Sequence, residues 1–488
     1  MLGAIGWVEW SAYRLPLRDT PIGTDWPRYL GNAVAIGERR WQDYQLWRGP
    51  LHALLCLALS NVAGLLEASQ AVSMVAVGAI IAASAALGRR SAGPGHGALT
   101  ALLLAGWPDL ALQARMSTPY PLLAGLVASA LLALDHTSAT VRPASPPHRT
   151  RGLLALGVTG VLFGLAGATD ARGMVLAGAA VAGAVCWSPR AVPRLLAALG
   201  LALTVRWAVL WRLPVQLLSL GQQIALQRDL HARESRIPTC VDHHAAAVQI
   251  SELWSPCAAQ TAWLNLHRLL PMAPLPIAVI ALVALLGVRR RNAPLLGMVL
   301  TIVPATLLVG LEHRYLLPLA GPVAVLIGSG VARVGGLMAR APWFATRPGP
   351  AARLTPAAAL VLTVSMAVGW RLHADTLMAR ATAGRPAPGP PRVNVHTPPP
   401  IAFVRGWLRE HAPADARIID CAGLGLNVRL YPRPVAEESA NGRSSARCDR
   451  LLASPPAPHV LVLTATQPGD PAWATAMAAA ELRVVASD

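Results

Sequence analysis

The sequence predicts an α-helical polytopic membrane protein with about 11 transmembrane helices and a small C-terminal α/β domain outside the membrane. Three observations predict it. Of the 488 residues, 54% are hydrophobic and only 14% charged, more apolar and far less charged than a soluble domain. Apolar segments long enough to approach a bilayer's thickness recur along most of the chain. The arginines between those segments alternate with position, as they do when one face of a membrane collects the positive charge.

Residues 1–16 are apolar but shorter than a span, carry Glu9 and Arg14, and lack the basic start and small-residue cleavage site of a signal peptide. They read as the remnant of a first membrane helix. Next comes a polar loop, Asp19 to Pro50, rich in carboxylates and guanidiniums. Long charged loops in compact proteins are either solvated surface or functional. Leu51 to Leu66 reads as an apolar helix lying along the outer surface.

The apolar segments that follow are 71–88, 98–113, 119–134, 152–168, 173–187, 195–211, 274–288, 293–310, 315–332 and 355–371. If 71–88 runs inward, the connections 89–97, 135–151, 188–194, 289–292 and 333–354 are cytoplasmic. They hold 14 arginines and one acid, Asp135, the pattern expected of cytoplasmic loops. The same count puts outside the 19–50 loop, the 114–118 turn, Thr169 to Arg172, the 212–273 loop, the Glu312-His313-Arg314 turn and everything beyond 371. The net charge of +18 rests on arginine alone, since the chain has no lysine. No soluble basic module accompanies it, so nucleic acid is not an expected partner.

Residues 1–382 are thus expected to form the membrane domain. A Pro/Gly/Arg-rich linker, 383–400, precedes an external domain at 401–488. In the latter, 401–411 and 473–482 read as helices and 417–421, 459–464 and 483–486 as strands. Cys56 and Cys186 sit in apolar segments, where a thiol packs as a small hydrophobe. The other four cysteines fall in two polar regions, Cys240 with Cys257 and Cys421 with Cys448. One disulfide in each, and hence an oxidising compartment, is the expectation; four unpaired thiols are the alternative. Their spacing is not that of a zinc knuckle, although His243 and His244 lie between the first two.

The motifs resemble a known family. Asp25-Trp26-Pro27-Arg28-Tyr29, then Trp41, then Arg48-Gly49-Pro50 opening an apolar helix, is similar to the first external loop of the fold-C membrane glycosyltransferases. The pattern is nearest to the lipid A aminoarabinose transferases and protein O-mannosyltransferases. Trp107-Pro108, GLAGATDARG at 164–173 and Glu312 to Pro318 follow in the family's order. The resemblance implies a polyprenyl-phosphate sugar as donor substrate and a lipid, glycan or protein acceptor. It places the chain in a bacterial inner membrane, with the active site and C-terminal domain facing the periplasm. It names no protein partner and no certain cofactor.

Such a transfer requires a carboxylate to take the acceptor's proton and cations to stabilise the departing phosphate. The resemblance casts Asp25 as the base; the plain alternative is a helix N-cap. Arg28, Arg172, Arg206 and Arg314, with Tyr29 and Tyr315, are the candidate substrate-binding residues, because a guanidinium binds phosphate bidentately. Arg206 lies inside an apolar segment, where a charge faces a partner or cavity or else snorkels to the headgroups. Arg172 could serve only as the ion partner of Asp170.

One departure from the family stands out. The turn 114–120 reads ARMSTPY, without the acid that many relatives carry there. Asp109 is the possible second carboxylate, and a lone acid is a poor site for a divalent metal. Two other readings compete: a transporter or flippase, and an inactive transferase-like scaffold. Against the first, no internal repeat or paired broken helices are evident, and Asp25 lies in a loop, not at mid-membrane.

Overall fold

A computed structural model describes residues 1–14, 26–41, 44–45, 48–115, 117–139, 146–187, 189–211, 213–214, 217, 283–288, 292–309, 316–338, 417–420, 435–437 and 459–462. The chain divides into two compact units. One comprises 1–16, 45–52 and 70–393, the other 17–44, 53–69 and 394–488.

The N-terminal segments are α1 (Leu2–Arg14), α2 (Trp26–Gly37), α3 (Leu51–Ala63) and α4 (Leu65–Ala92). Gly64 separates α3 from α4 at φ 73°, a conformation that costs glycine nothing and other residues strain. At 28 residues, α4 is longer than the 71–88 segment that announced it. It places Glu67 in its first turn and Arg89 and Arg90 in its last, charges that complement the helix dipole. Gly93, at φ 105°, ends it, and Pro94 opens α5 (Pro94–Ala105).

The apolar segment 98–113 is not one helix. Gly106 caps α5, and α6 (Pro108–Arg115) begins two residues later. Pro108 has no N–H to give the preceding turn and clashes with its carbonyl, yet fits the first turn of a new helix. Asp109 is therefore the second residue of a short helix instead of an interior residue of a long one.

The remaining helices are α7 (Tyr120–Ala139), α8 (Pro146–Thr169), α9 (Arg172–Trp187), α10 (Val192–Trp211) after a 3-10 turn at Pro189–Ala191, α11 (Ala293–Val309) and α12 (Leu317–Met338). Among the described residues, five helices are long and apolar enough to cross a membrane: Leu65–Ala92, Tyr120–Thr137, Gly152–Thr169, Pro189–Trp211 and Leu317–Val334. Leu51–Ala63, Arg172–Cys186 and Ala293–Val303 are shorter apolar helices. The 355–371 segment and most of 274–288 lie outside the described residues.

The core runs between α7, α8, α9, α11 and α12, where Leu123, Leu131, Phe163, Leu176, Met298 and Val325 are buried together. The approach of α8 to α10 is set by glycine. A Cβ on Gly160 would stand 2.8 Å from the Ala198 carbonyl oxygen, and one on Gly164 would stand 2.6 Å from that of Ala202. Small residues at such spacing let two membrane helices touch along their backbones. The outer flank of α10 is exposed, with the Trp207 and Trp211 rings 4.7 Å apart and tilted at 45°, a placement common for tryptophans near a headgroup layer.

One end of the first unit is held by polar side chains. Arg90, on the last turn of α4, pairs with Asp135 near the end of α7. Asn292 Nδ2 donates to the Gly287 carbonyl at 3.0 Å and to Ser329 Oγ on α12 at 3.2 Å, and Ser91 Oγ donates to Asn292 Oδ1 at 3.3 Å. These contacts gather three of the arginine-bearing connections, those after α4 and α7 and the one before α11, at one end. The charge count put them on one side of the membrane, and the packing puts them at one end of the bundle.

In the second unit, β1 (Arg417–Asp420) lies between β2 (Val435–Glu437) and β3 (His459–Val462), all parallel. Ile418 faces Val435 and Val460 in register. The strands expected at 417–421 and 459–464 are present in shorter form. The three-residue β2 was not expected. The helices at 401–411 and 473–482, the strand at 483–486, and Cys240, Cys257, Cys421 and Cys448 lie outside the described residues.

Candidate active site

The opposite end of the first unit gathers α7's first residue, the α8–α9 turn, the last third of α10 and the end of the first polar loop. At its centre is Asp170, directly after α8. Its Oδ1 accepts the backbone N–H of Arg172 at 2.9 Å and Arg172 Nε at 2.8 Å, while Oδ2 accepts Arg172 Nη2 at 2.7 Å. The backbone contact is a local turn that starts α9, and the other two form a guanidinium–carboxylate fork. The Asp170 side chain is 16% exposed. Burial pushes its carboxyl up, but the Arg172 guanidinium, the hydrogen bonds it donates and the charge of Arg48 outweigh that and hold it below the usual carboxylate range. The Arg172 guanidinium also lies 5.0 Å over the Tyr120 ring, a cation–π contact.

Glycines permit this crowding. A Cβ on Gly173 would lie 2.4 Å from the Ala166 carbonyl carbon, so the α9 start can fold onto α8 only without one. Gly49 presses on the same helix end: its Cβ would stand 2.2 Å from the Ala168 carbonyl oxygen and 2.6 Å from the Thr169 carbonyl. That contact brings Arg48 beside Asp170. His52, on the first turn of α3, is buried, and burial together with the charge of Arg48 pushes its imidazole down to about 4, which keeps it neutral at neutral pH.

Arg206 has a backbone partner on α8. Its Nε donates to the Gly167 carbonyl of α8 at 3.2 Å, and its Cδ would lie 3.0 Å from a Cβ at Gly167. The guanidinium is thus fixed against the last turns of α8, at a residue three positions before Asp170.

The turn that lacks an acid is buried and polar. Gln113, Arg115, Ser117 and Thr118 are all at most 8% exposed, and Thr118 Oγ1 donates to Gln113 Oε1 at 3.3 Å. Of the other candidates, Tyr29 is buried on α2. Arg28 lies in the first turn of α2 and Asp109 at the start of α6, but neither side chain is described. Asp25, Arg314 and Tyr315 lie outside the described residues. A hard divalent cation needs several converging oxygen ligands. Among the described residues no three His, Cys, Asp or Glu side chains converge, and Asp170 is committed to Arg172, so these residues do not fit such an ion.

The sequence had pointed to Arg172 and Arg206, and the structure brings them to one turn. It adds Asp170, Arg48, His52 and Tyr120. Asp170 and Arg48 stand in the TDARG and Arg48-Gly49-Pro50 motifs and Tyr120 closes the acid-free 114–120 turn, whereas no motif singled out His52.

The helical bundle shares the GT-C fold with solved membrane proteins. ArnT of Cupriavidus metallidurans in the apo state superposes over 93% of this chain and 90% of its own, with a TM-score of 0.59 at 15% identity. The same protein bound to undecaprenyl phosphate matches with a TM-score of 0.53 over the same shares. The oligosaccharyltransferase of Archaeoglobus fulgidus matches at 0.51 and 14% identity, over 89% of this chain and 64% of its own. No family model and no curated protein matches the sequence. At these identities the likeness establishes the fold.

Proposed function

We propose that the chain is a membrane glycosyltransferase that moves a sugar from a polyprenyl-phosphate donor to a lipid, glycan or protein acceptor on the periplasmic face of a bacterial inner membrane. The observation that carries this reading is the gathering of Arg48, Arg172 and Arg206 around the 167–173 turn, at the end of the bundle opposite its arginine-rich connections. Two guanidiniums held by carboxylate and backbone contacts, with the charge of Arg48 beside them, suit a phosphate group at a membrane surface. The fold supports the assignment, because one of its members has been solved with undecaprenyl phosphate bound.

In the reaction, an acceptor hydroxyl oxygen attacks the anomeric carbon. The bond from that carbon to the phosphate oxygen breaks, and its electron pair leaves on the polyprenyl phosphate. The hydroxyl proton passes to Asp25, a role that rests on the family resemblance of the first loop. Asp170 is unsuited to accept that proton, because both its oxygens are engaged by Arg172 and its carboxyl is held ionised, which makes it a weak base. Arg48, Arg172 and Arg206 stabilise charge developing on the leaving phosphate. Arg28, Arg314, Tyr29 and Tyr315 are assigned to the substrate, and Asp109 is the reserve carboxylate. Direct displacement predicts inversion at the anomeric carbon.

The test is Asp25→Asn in lipid-reconstituted protein. Loss of about 10² to 10⁴ in turnover, with polyprenyl-phosphate binding retained, is the expected result. Turnover equal to wild type would remove Asp25 from the mechanism and bring Asp109 forward.

A further inference from the structure

Three arginines around one phosphate raise a difficulty that the chemistry makes sharper as it proceeds. A glycosyl polyprenyl phosphate is a diester with one negative charge. The polyprenyl phosphate left behind is a monoester whose charge at neutral pH is about −1.5 to −2. A site made only of cations would hold its product more tightly than its substrate.

We propose that Asp170 is a positioning and charge-balancing residue, which orients the Arg172 fork and tempers the arginine cluster so that the lipid monophosphate can leave. The inference rests on the donor reading above. Its ground is geometric. Asp170 meets Arg172 through three contacts of 2.7 to 2.9 Å. It follows the α8 end on which Gly49 packs, so Arg48 joins it from the first loop, and Arg206 is fixed on Gly167 of the same turn. One carboxylate therefore binds the Arg172 guanidinium and feels the charge of Arg48, while Arg206 is held three residues earlier on the same helix end. His52, which is neutral, adds no further charge to offset.

Asp170→Asn removes the charge. Asparagine keeps an Oδ1 that can accept the Arg172 backbone N–H and Nε, while its amide nitrogen cannot accept from Arg172 Nη2, so the charge and one hydrogen bond are lost together. The probes are undecaprenyl phosphate, a monoester, and its methyl diester, which carries the donor's charge; the readout is the ratio of their dissociation constants on lipid-reconstituted protein. With one negative charge removed, the monoester gains about tenfold over the diester, and turnover slows through product retention. Arg48→Gln shifts the ratio the opposite way, and Asp170→Asn with Arg48→Gln brings it back toward wild type.

An unchanged ratio, or equal weakening of both probes, would make Asp170 merely structural and overturn the inference. Arg48→Gln alone can overturn it, by leaving the ratio unmoved, even if Asp170→Asn does not fold. Failure of the wild type to bind either probe would instead sink the transferase reading on which the inference stands.

Discussion

The end of the first polar loop is attached to the bundle at one glycine, and Gly49→Ala is the sharpest perturbation of that attachment. A Cβ at position 49 would fall 2.2 Å from the Ala168 oxygen and 2.6 Å from the carbonyl carbon and oxygen of Thr169. All three are backbone atoms in the last turn of α8, so no side chain can swing aside. Ordinary contact requires the loop end to retreat by about 1 Å. The overpacking costs about 1 to 3 kcal/mol, which the bundle can absorb. Catalysis is less tolerant: Arg48 and His52 move with Gly49, and a displacement of this size costs about 10²-fold in rate. The expected result is a fall of that order in donor turnover, with thermal unfolding lowered by only a few degrees. Gly31→Ala is the control, because Gly31 lies within α2 with nothing within 4 Å of its Cβ position, and alanine there gains up to about 1 kcal/mol of helix propensity. Wild-type turnover in Gly49→Ala would refute the view that this contact sets the site.

Arg206→Leu removes a charge from an apolar helix and a donor from the Gly167 carbonyl. Polyprenyl-phosphate binding, followed by titration in nanodiscs, should weaken at least tenfold, while thermal stability holds or rises because a buried charge is costly to insert. His52 predicts acid sensitivity. Its folded value of about 4 lies below the ordinary 6.5, so the unfolded chain binds the extra proton between those values, and stability falls as pH drops through that window by up to about 3 kcal/mol. Unfolding measured against pH should lose this slope in His52→Gln. At the other end of the bundle, Asp135→Asn breaks the pair with Arg90, whose side chain is 28% exposed. It should cost at most about 1 kcal/mol in unfolding and leave turnover unchanged.

Hydropathy made the long helices legible. The cores of α4, α7, α8, α9 and α10 lie within the apolar segments read from the sequence, because a run that must satisfy its backbone in lipid can only be a helix. Their ends were harder: α4 and α8 continue into polar residues such as Glu67 and Arg151, which hydropathy cannot assign. The break at Gly106 and Pro108 was written in residues whose chemistry is plain, yet a run averaged for apolarity conceals it. Arg206 was visible as an anomaly, but its backbone partner, Gly167, lies 39 residues earlier. The role of Gly49 was equally hidden, since what forbids a side chain there is a carbonyl more than a hundred residues away. Asp170 and Arg172 showed the reverse problem: two positions apart in sequence, they read as a solvated pair until Gly49, Gly173 and Tyr120 were found packed around them.

The most direct test of the account is whether the reconstituted wild-type protein cleaves the anomeric bond of a lipid-linked sugar. A panel of polyprenyl-phosphate sugars should be offered with mass detection of both lipid and sugar products, beside Arg172→Gln and Asp135→Asn. The account predicts that at least one donor yields free polyprenyl phosphate, that Arg172→Gln abolishes the release, and that Asp135→Asn does not. Donors that bind or cross the bilayer with the anomeric bond intact would contradict it and point to a flippase built on the same fold.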